Sequence, residues 1–158
     1  DGWQVVHLVG PNRGGALPDE EVRALGLTYA SYAFLDNVHD VLAASDVIVT
    51  RAGGTFLAEI AARGIAAIII PWSGAADDHQ TRNARPFAEA GAGVVISDSE
   101  LSVERLLAAL HGILPDPTTR GAMAAASRRL GRPESAQRIV GFIEELARPR
   151  SQAHRLEQ

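Results

Sequence analysis

Short apolar runs alternate with one-sided helical patterns along most of this chain. The clearest case begins with a run rich in β-branched residues at 46–50, which is typical of a buried strand. A glycine pair follows at 53–54, and the apolar residues of the next segment then recur at the i, i+3, i+4 spacing of one packed helix face: Leu57, Ile60 and Ala61. A second apolar run at 66–70 completes a β-α-β unit. Its two strands are predicted to be parallel, because a helical crossover joins them.

The same alternation continues on both sides of this unit. We expect further strands at 4–9, 28–34 and 94–96, and helices at 38–44, 81–90, 103–113, 118–130 and 134–147. In the last helix the residues expected to face inward are Ala136, Ile139, Val140 and Ile143. The pattern predicts an α/β fold with a Rossmann-like parallel sheet flanked by helices. It also predicts one domain over 1–147 and a disordered tail over 148–158.

Composition and charge narrow the classes of function. The 158 residues are 46% hydrophobic and 22% charged, which is ordinary for a globular domain. The formal net charge of −4 argues against a nucleic-acid partner, because phosphate contacts need a basic surface. The chain has no cysteine, which excludes disulfides and cysteine-based metal sites. No apolar run reaches the roughly 20 residues of a membrane span.

The glycine turn after the 46–50 strand is a candidate phosphate site. A helix that starts there directs unpaired N–H groups and its positive dipole end beyond the edge of the sheet. Glu59, just over one turn into that helix, could accept hydrogen bonds from ribose hydroxyls, or could pair with Arg63 on the surface. Arg51, which precedes the turn, is either a surface charge or a phosphate-side residue.

The polar loop after the 66–70 strand carries a second group of candidates. His79, Gln80 and Asn83 offer donors and acceptors that suit a sugar. Asp77 and Asp78 beside His79 also raise the possibility of a metal site. We expect none there, because the helix dipole already explains acidic residues at a helix start. We expect no cofactor either.

Three segments of the chain carry a family resemblance. They are AFLDNVHDVLAASDVIVTRAGGTFLAEIAARGIAAIIIP, DDHQTRNARPFAEAGAGVVI and LSVERLLAAL, and they follow one another over roughly residues 4–147. The chain resembles the C-terminal half of the MurG family within family 28 of the GT-B glycosyltransferases. These bacterial enzymes move N-acetylglucosamine from UDP-GlcNAc to lipid I in peptidoglycan synthesis. Diacylglycerol glycosyltransferases and the two-chain GlcNAc transferase of eukaryotes share this half-fold and stay as alternatives.

The resemblance implies roles for particular residues. The turn at Gly53 and Gly54 faces the donor pyrophosphate, and Glu59 matches the ribose-binding glutamate. The backbone of Leu35 matches the position that reads the uracil edge. The pair His79-Gln80 matches the sugar-contacting residues, and Asn83 is expected to order their loop.

One departure from the family pattern falls in the glycine turn. The family places small or hydroxylated residues there, whereas this chain has Thr55 followed by Phe56. Thr55 can supply a hydroxyl, but Phe56 cannot.

The resemblance also implies how a whole enzyme of this family works. Such enzymes have two domains and invert the anomeric centre by direct attack of the acceptor hydroxyl. The acceptor site for lipid I, the membrane-facing surface and the general base belong to the N-terminal half, which places the enzyme in the cytoplasm at the inner face of the cell membrane. A further strand with a glycine-rich loop is expected before Gly2. This chain alone is therefore expected to bind UDP-GlcNAc weakly and not to turn over.

Two readings from different classes stay open. The first is the donor-binding half of a transferase, whose sugar and acceptor could also differ from those named above. The second is a non-catalytic module with the same fold that binds a partner chain or a nucleotide. Glu59 and His79-Gln80 favour the first reading, and Phe56 favours the second.

Overall fold

The structure is a computed structural model that describes residues 2–11, 15–26 and 28–148. It divides into two compact units, Asp1–Ser45 and Asp46–Gln158. Nearly all of the expected tail at 148–158 lies outside the described residues, so its disorder stays a prediction, as does the single domain over 1–147.

The first unit is built on a pair of parallel strands. Its elements are β1 (Gln4–Leu8), α1 (Asp19–Leu25), β2 (Thr28–Tyr32) and α2 (Val38–Ala44). β1 pairs with β2 in register, from Gln4 opposite Thr28 to Leu8 opposite Tyr32. The predicted strands at 4–9 and 28–34 are confirmed, each slightly shorter than expected.

The second unit contains the predicted β-α-β unit and extends it. Its strands are β3 (Val47–Thr50), β4 (Ala66–Ile69) and β5 (Gly93–Val95). Its helices are α3 (Gly54–Arg63), α4 (His79–Glu89), α5 (Val103–Ile113), α6 (Pro117–Leu130) and α7 (Ser135–Ala147). Short 3₁₀ turns at Ala76–Asp78 and Asp98–Glu100 precede α4 and α5. The strands are parallel in the order β3-β4-β5, which confirms the α/β fold with parallel strands flanked by helices.

The core of the second unit is centred on β4. All four residues of β4 are fully buried, because helices cover both faces of a central parallel strand. α3 contributes its apolar stripe as predicted: Leu57, Ile60 and Ala61 are buried. α3 ends at Gly64, whose left-handed φ of 69° lets the chain turn into β4.

The last helix departs from its prediction. The side chains expected inward on α7 are exposed, with Ile139 at 58%, Val140 at 53% and Ile143 at 59%, and Ala136 is exposed as well. Within the described residues α7 buries none of its side chains. The apolar stripe is present, but a hydrophobic period predicts only that a face is apolar and not that something covers it.

Candidate functional site

Three loops meet at the carboxyl edge of the three-stranded sheet. They are residues 51–53 after β3, residues 70–78 after β4 and residues 96–97 after β5. Parallel strands present these ends on one side, which is where open α/β sheets bind ligands. All candidate residues except Leu35 lie on the first two loops or on the helices that follow them.

The amino end of α3 has no side-chain cap. Gly53 is the N-cap residue, with extended backbone angles, and among the described residues no side chain caps the first turn of the helix. The first intrahelical bond runs from the N–H of Leu57 to the carbonyl of Gly53 at 2.9 Å. The N–H groups of Gly54, Thr55 and Phe56 come before that bond and so have no partner within the helix. An anion at this position would meet these three donors and the positive end of the helix dipole.

Gln80 ties the first loop to the second. Its Oε1 accepts hydrogen bonds from the backbone N–H of Ala52 at 3.1 Å and from that of Trp72 at 2.9 Å. Asn83 donates from Nδ2 to the Ala52 carbonyl at 3.1 Å, so it holds the loop after β3, and its expected role in ordering the loop of His79 and Gln80 stays a prediction. The side-chain oxygen of Gln80 is therefore occupied by the protein, and its amide nitrogen is the group left for a ligand.

His79 is held at the start of α4 by the loop before it. Its Nδ1 lies 2.7 Å from the carbonyl of Ala76, so Nδ1 carries a hydrogen and donates it to that oxygen. Asp77 and Asp78 both have left-handed backbone angles, with φ of 50° and 52°. Two consecutive left-handed residues other than glycine are costly, and such strain is concentrated at functional loops.

Glu59 and Leu35 complete the set of candidates. Glu59 is exposed on α3, and among the described residues its carboxylate makes neither a hydrogen bond nor an ion pair. The alternative surface pair with Arg63 is therefore not formed. Leu35 lies in the first unit, on the segment between β2 and α2, and its role at the uracil edge stays a prediction.

Arg51 has a partner that the sequence did not indicate. Its Nη1 donates to Oδ1 of Asp98 at 2.5 Å and to the carbonyl of Ile70 at 3.3 Å. The other carboxylate oxygen of Asp98 accepts from the N–H of Ser73 at 2.8 Å and from its hydroxyl at 2.9 Å. These bonds, with the Ser73 N–H first and the Arg51 guanidinium second, lower the pKa of Asp98 from 3.8 to about 2.

This shift predicts a pH dependence of stability. In the folded protein Asp98 stays ionised at pH values below 3.8, the pKa it has in the unfolded chain. The stability that Asp98 contributes is therefore fully present above pH 3.8 and is lost as the pH falls towards about 2. We expect the free energy of unfolding of the Asp98→Asn variant to lie below that of the unaltered chain at pH 6. The gap should narrow steadily between pH 4 and pH 2 in urea titrations. A gap that does not change over this range would contradict the assigned pKa.

The edge of the sheet is open rather than enclosed. A cleft of about 480 Å³ lies between the loops after β4 and β5, and a groove of about 380 Å³ runs between α3 and α4. Gly54 and Asn83 line the groove, whereas Arg51, Glu59 and His79 line neither cavity. A ligand that contacts Arg51, Glu59 and His79 would therefore lie outside both cavities, on the surface of this unit.

The described residues hold no cluster of three or more histidine, aspartate or glutamate side chains arranged to bind a metal ion. Asp77 and Asp78 lie on the 3₁₀ turn, and His79 is the first residue of α4.

Solved structures define the class of protein. The chain matches the crystal structure of Acinetobacter baumannii MurG with a TM-score of 0.76 and 28% identity, over 90% of this chain and 43% of that one. It also matches the calicheamicin glycosyltransferase CalG4 with a TM-score of 0.60 and 21% identity, a likeness that concerns the fold alone. The chain has the fold of a GT-B glycosyltransferase domain.

The family follows from sequence comparison. The family model for the glycosyltransferase family 28 C-terminal domain matches residues 2–139, and the chain belongs to this family. It is 36% identical over 155 residues to the UDP-N-acetylglucosamine–N-acetylmuramyl-(pentapeptide) pyrophosphoryl-undecaprenol N-acetylglucosamine transferase of Desulforamulus reducens. It is 37% identical over 150 residues to the protein of the same name from Halothermothrix orenii.

These alignments cover most of this chain and less than half of each relative. They take in 94% and 92% of the chain but 41% and 40% of the two relatives. The chain thus spans about two fifths of the length of the curated relatives it matches. The resemblance to the C-terminal half of the family is confirmed by the family model and by the aligned relatives.

Proposed function

We propose that this chain is the donor-binding half of an inverting glycosyltransferase that moves N-acetylglucosamine from UDP-GlcNAc to lipid I. The observation that carries the proposal is the amino end of α3, which has no side-chain cap, followed about one turn later by the carboxylate of Glu59, which has no partner in the part of the chain that the structure describes. A nucleoside diphosphate needs donors for its phosphates and an acceptor for its ribose hydroxyls, and α3 offers both on one helix.

The donor would lie along the carboxyl edge of the sheet. Its pyrophosphate would accept from the N–H groups at the start of α3, beside the Gly53-Gly54 turn, and its ribose would donate to Glu59. The sugar would meet Nε2 of His79 and the amide nitrogen of Gln80, since the loops already hold Nδ1 of His79 and Oε1 of Gln80. Ground-state binding is what these residues provide, and no residue of this chain is assigned to the chemical step.

The acceptor site and the general base are proposed to belong to the other half of the protein. The relatives' names describe transfer to a pyrophosphoryl-undecaprenol carrier, a membrane lipid, which supports a place at the inner face of the cell membrane. Among the residues that the structure describes, no helix is long and apolar enough to cross a membrane. The proposed membrane contact is peripheral and is made by the other half.

A non-catalytic module is the second candidate. Phe56, partly buried in the first turn of α3, favours it, because no side chain there other than that of Thr55 can bond to a phosphate. In this alternative the chain would bind a nucleotide or a partner chain without selecting a sugar.

Calorimetric titration with UDP-GlcNAc, UDP-glucose and UDP tests the proposal. We expect weak, saturable binding of all three, with UDP-GlcNAc preferred over UDP-glucose, and a preference that shrinks in His79→Ala. ADP serves as the matched control, because it carries the same pyrophosphate on another base. Binding that does not distinguish UDP from ADP, or no preference between the sugars, would favour the module that does not select a donor.

A further inference from the structure

Asp98 joins the loops that follow all three strands of the second unit's sheet. It lies on the 3₁₀ turn after β5, and its two carboxylate oxygens bond in different directions. One oxygen accepts from Arg51 on the loop after β3, and the other accepts twice from Ser73 on the loop after β4. A carboxylate can hold both loops because each of its oxygens accepts independently.

These bonds leave most of the Arg51 guanidinium available. Arg51 uses Nη1 alone for Asp98 and for the carbonyl of Ile70, and among the described residues its Nε and Nη2 have no partner. A guanidinium has five N–H donors, so three remain, and they lie in the fixed plane that suits a phosphate. Arg51 directly precedes the turn that leads to the amino end of α3.

We propose that Asp98 is a positioning residue for the donor site. It fixes the plane of the Arg51 guanidinium so that the three remaining donors face the diphosphate, and through Ser73 it holds the loop that leads to His79. This inference rests on the proposed function, because it assigns the diphosphate of that donor to Arg51. The ion pair between Asp98 and Arg51 lowers the net positive charge that a phosphate meets at Arg51. Asp98 therefore favours diphosphate binding by orienting the guanidinium and not by adding charge.

A double-mutant cycle on UDP affinity tests this role. We expect Asp98→Ala to weaken UDP binding roughly tenfold while Arg51 is present, as expected for loss of a hydrogen bond to a charged group. In the Arg51→Ala background Asp98→Ala should alter the UDP affinity by less than about twofold, because Arg51, through which Asp98 acts on the diphosphate, is absent. Equal losses in both backgrounds would show that Asp98 supports only the fold, and would overturn the proposal.

Conservative variants sharpen the test. Asp98→Glu keeps two acceptor oxygens and should recover part of the affinity. Asp98→Asn should not recover it, because its NH₂ group would face either Arg51 or Ser73, which are both donors. Asp116→Ala is the matched control: Asp116 caps α6 through Thr118 and Thr119, so its loss should lower stability and leave UDP affinity unchanged.

A measurement without ligand separates this inference from the proposed function. Rotation of the Arg51 guanidinium, followed by nitrogen-15 NMR, should be slow in the unaltered chain and in Asp98→Glu, and fast in Asp98→Ala. If the unaltered chain does not bind UDP but rotation is slow in it and fast in Asp98→Ala, the proposed function fails and the role of Asp98 in holding Arg51 stands. If UDP binds and both rotation and affinity are unchanged in Asp98→Ala, the proposed function stands and the role of Asp98 is overturned.

Discussion

Glu59→Ala is expected to weaken UDP binding by about 5- to 150-fold, equivalent to ~1–3 kcal/mol, while leaving the fold intact. The carboxylate is exposed and has no protein partner within the described residues, so its removal costs the folded chain little. In the bound state it would leave two ribose hydroxyls without their acceptor. Calorimetry for affinity and urea denaturation for stability measure the two effects separately.

Two control variants accompany Glu59→Ala: one removes a different exposed glutamate, and the other replaces Glu59 by glutamine. Glu89→Ala removes another exposed helical glutamate, which pairs with Arg85. Glu89 is the last residue of α4, at the other end of that helix from His79, so its loss should not change UDP affinity. Glu59→Gln keeps one acceptor oxygen and should lose less affinity than the alanine variant. If Glu59→Ala binds UDP as tightly as the unaltered chain does, the ribose assignment is wrong.

Gln80→Ala is expected to lower the free energy of unfolding by about 1–3 kcal/mol, because it leaves backbone donors without an acceptor. The N–H of Ala52 is the costlier of the two, since Ala52 is fully buried and water cannot replace the lost bond readily. The N–H of Trp72 is the second. Urea denaturation at neutral pH measures the change.

Gln80→Glu separates the two roles assigned to this side chain. Glutamate keeps an acceptor for both N–H groups, so the stability should stay close to that of the unaltered chain. It has no amide nitrogen, so the preference for UDP-GlcNAc over UDP should fall. A loss of stability in Gln80→Glu as large as that in Gln80→Ala would contradict the tie between the loops.

The fold could be predicted where local pattern and burial agree. β4 is a continuous apolar run because it is buried on both faces, and such a run is visible in the sequence. A serine directly before a helix is a common N-cap, and the hydroxyl of Ser102 accepts from the N–H of Arg105 at 3.1 Å. Both features depend on residues close together along the chain.

The ties within the site could not be predicted because they depend on distant residues. Arg51 and Asp98 are separated by most of the β-α-β-α-β path and meet only when β3, β4 and β5 align. Gln80 was expected to contact a sugar, and nothing in the local sequence indicates that its oxygen holds two backbone N–H groups. The burial of the apolar stripe on α7 could not be predicted either, because the hydrophobic period does not indicate which element covers the stripe.

The most direct test of the central claim is amide chemical-shift mapping of the chain during titration with UDP-GlcNAc. A donor site at this edge predicts saturable shifts at Gly54, Thr55 and Phe56, whose N–H groups begin α3, together with shifts at Glu59 and His79. Shifts at Arg82 and Arg132 in the groove between α3 and α4 without shifts at Thr55, Phe56 and Glu59, or no shifts at millimolar ligand, would contradict a donor site at the carboxyl edge of this sheet.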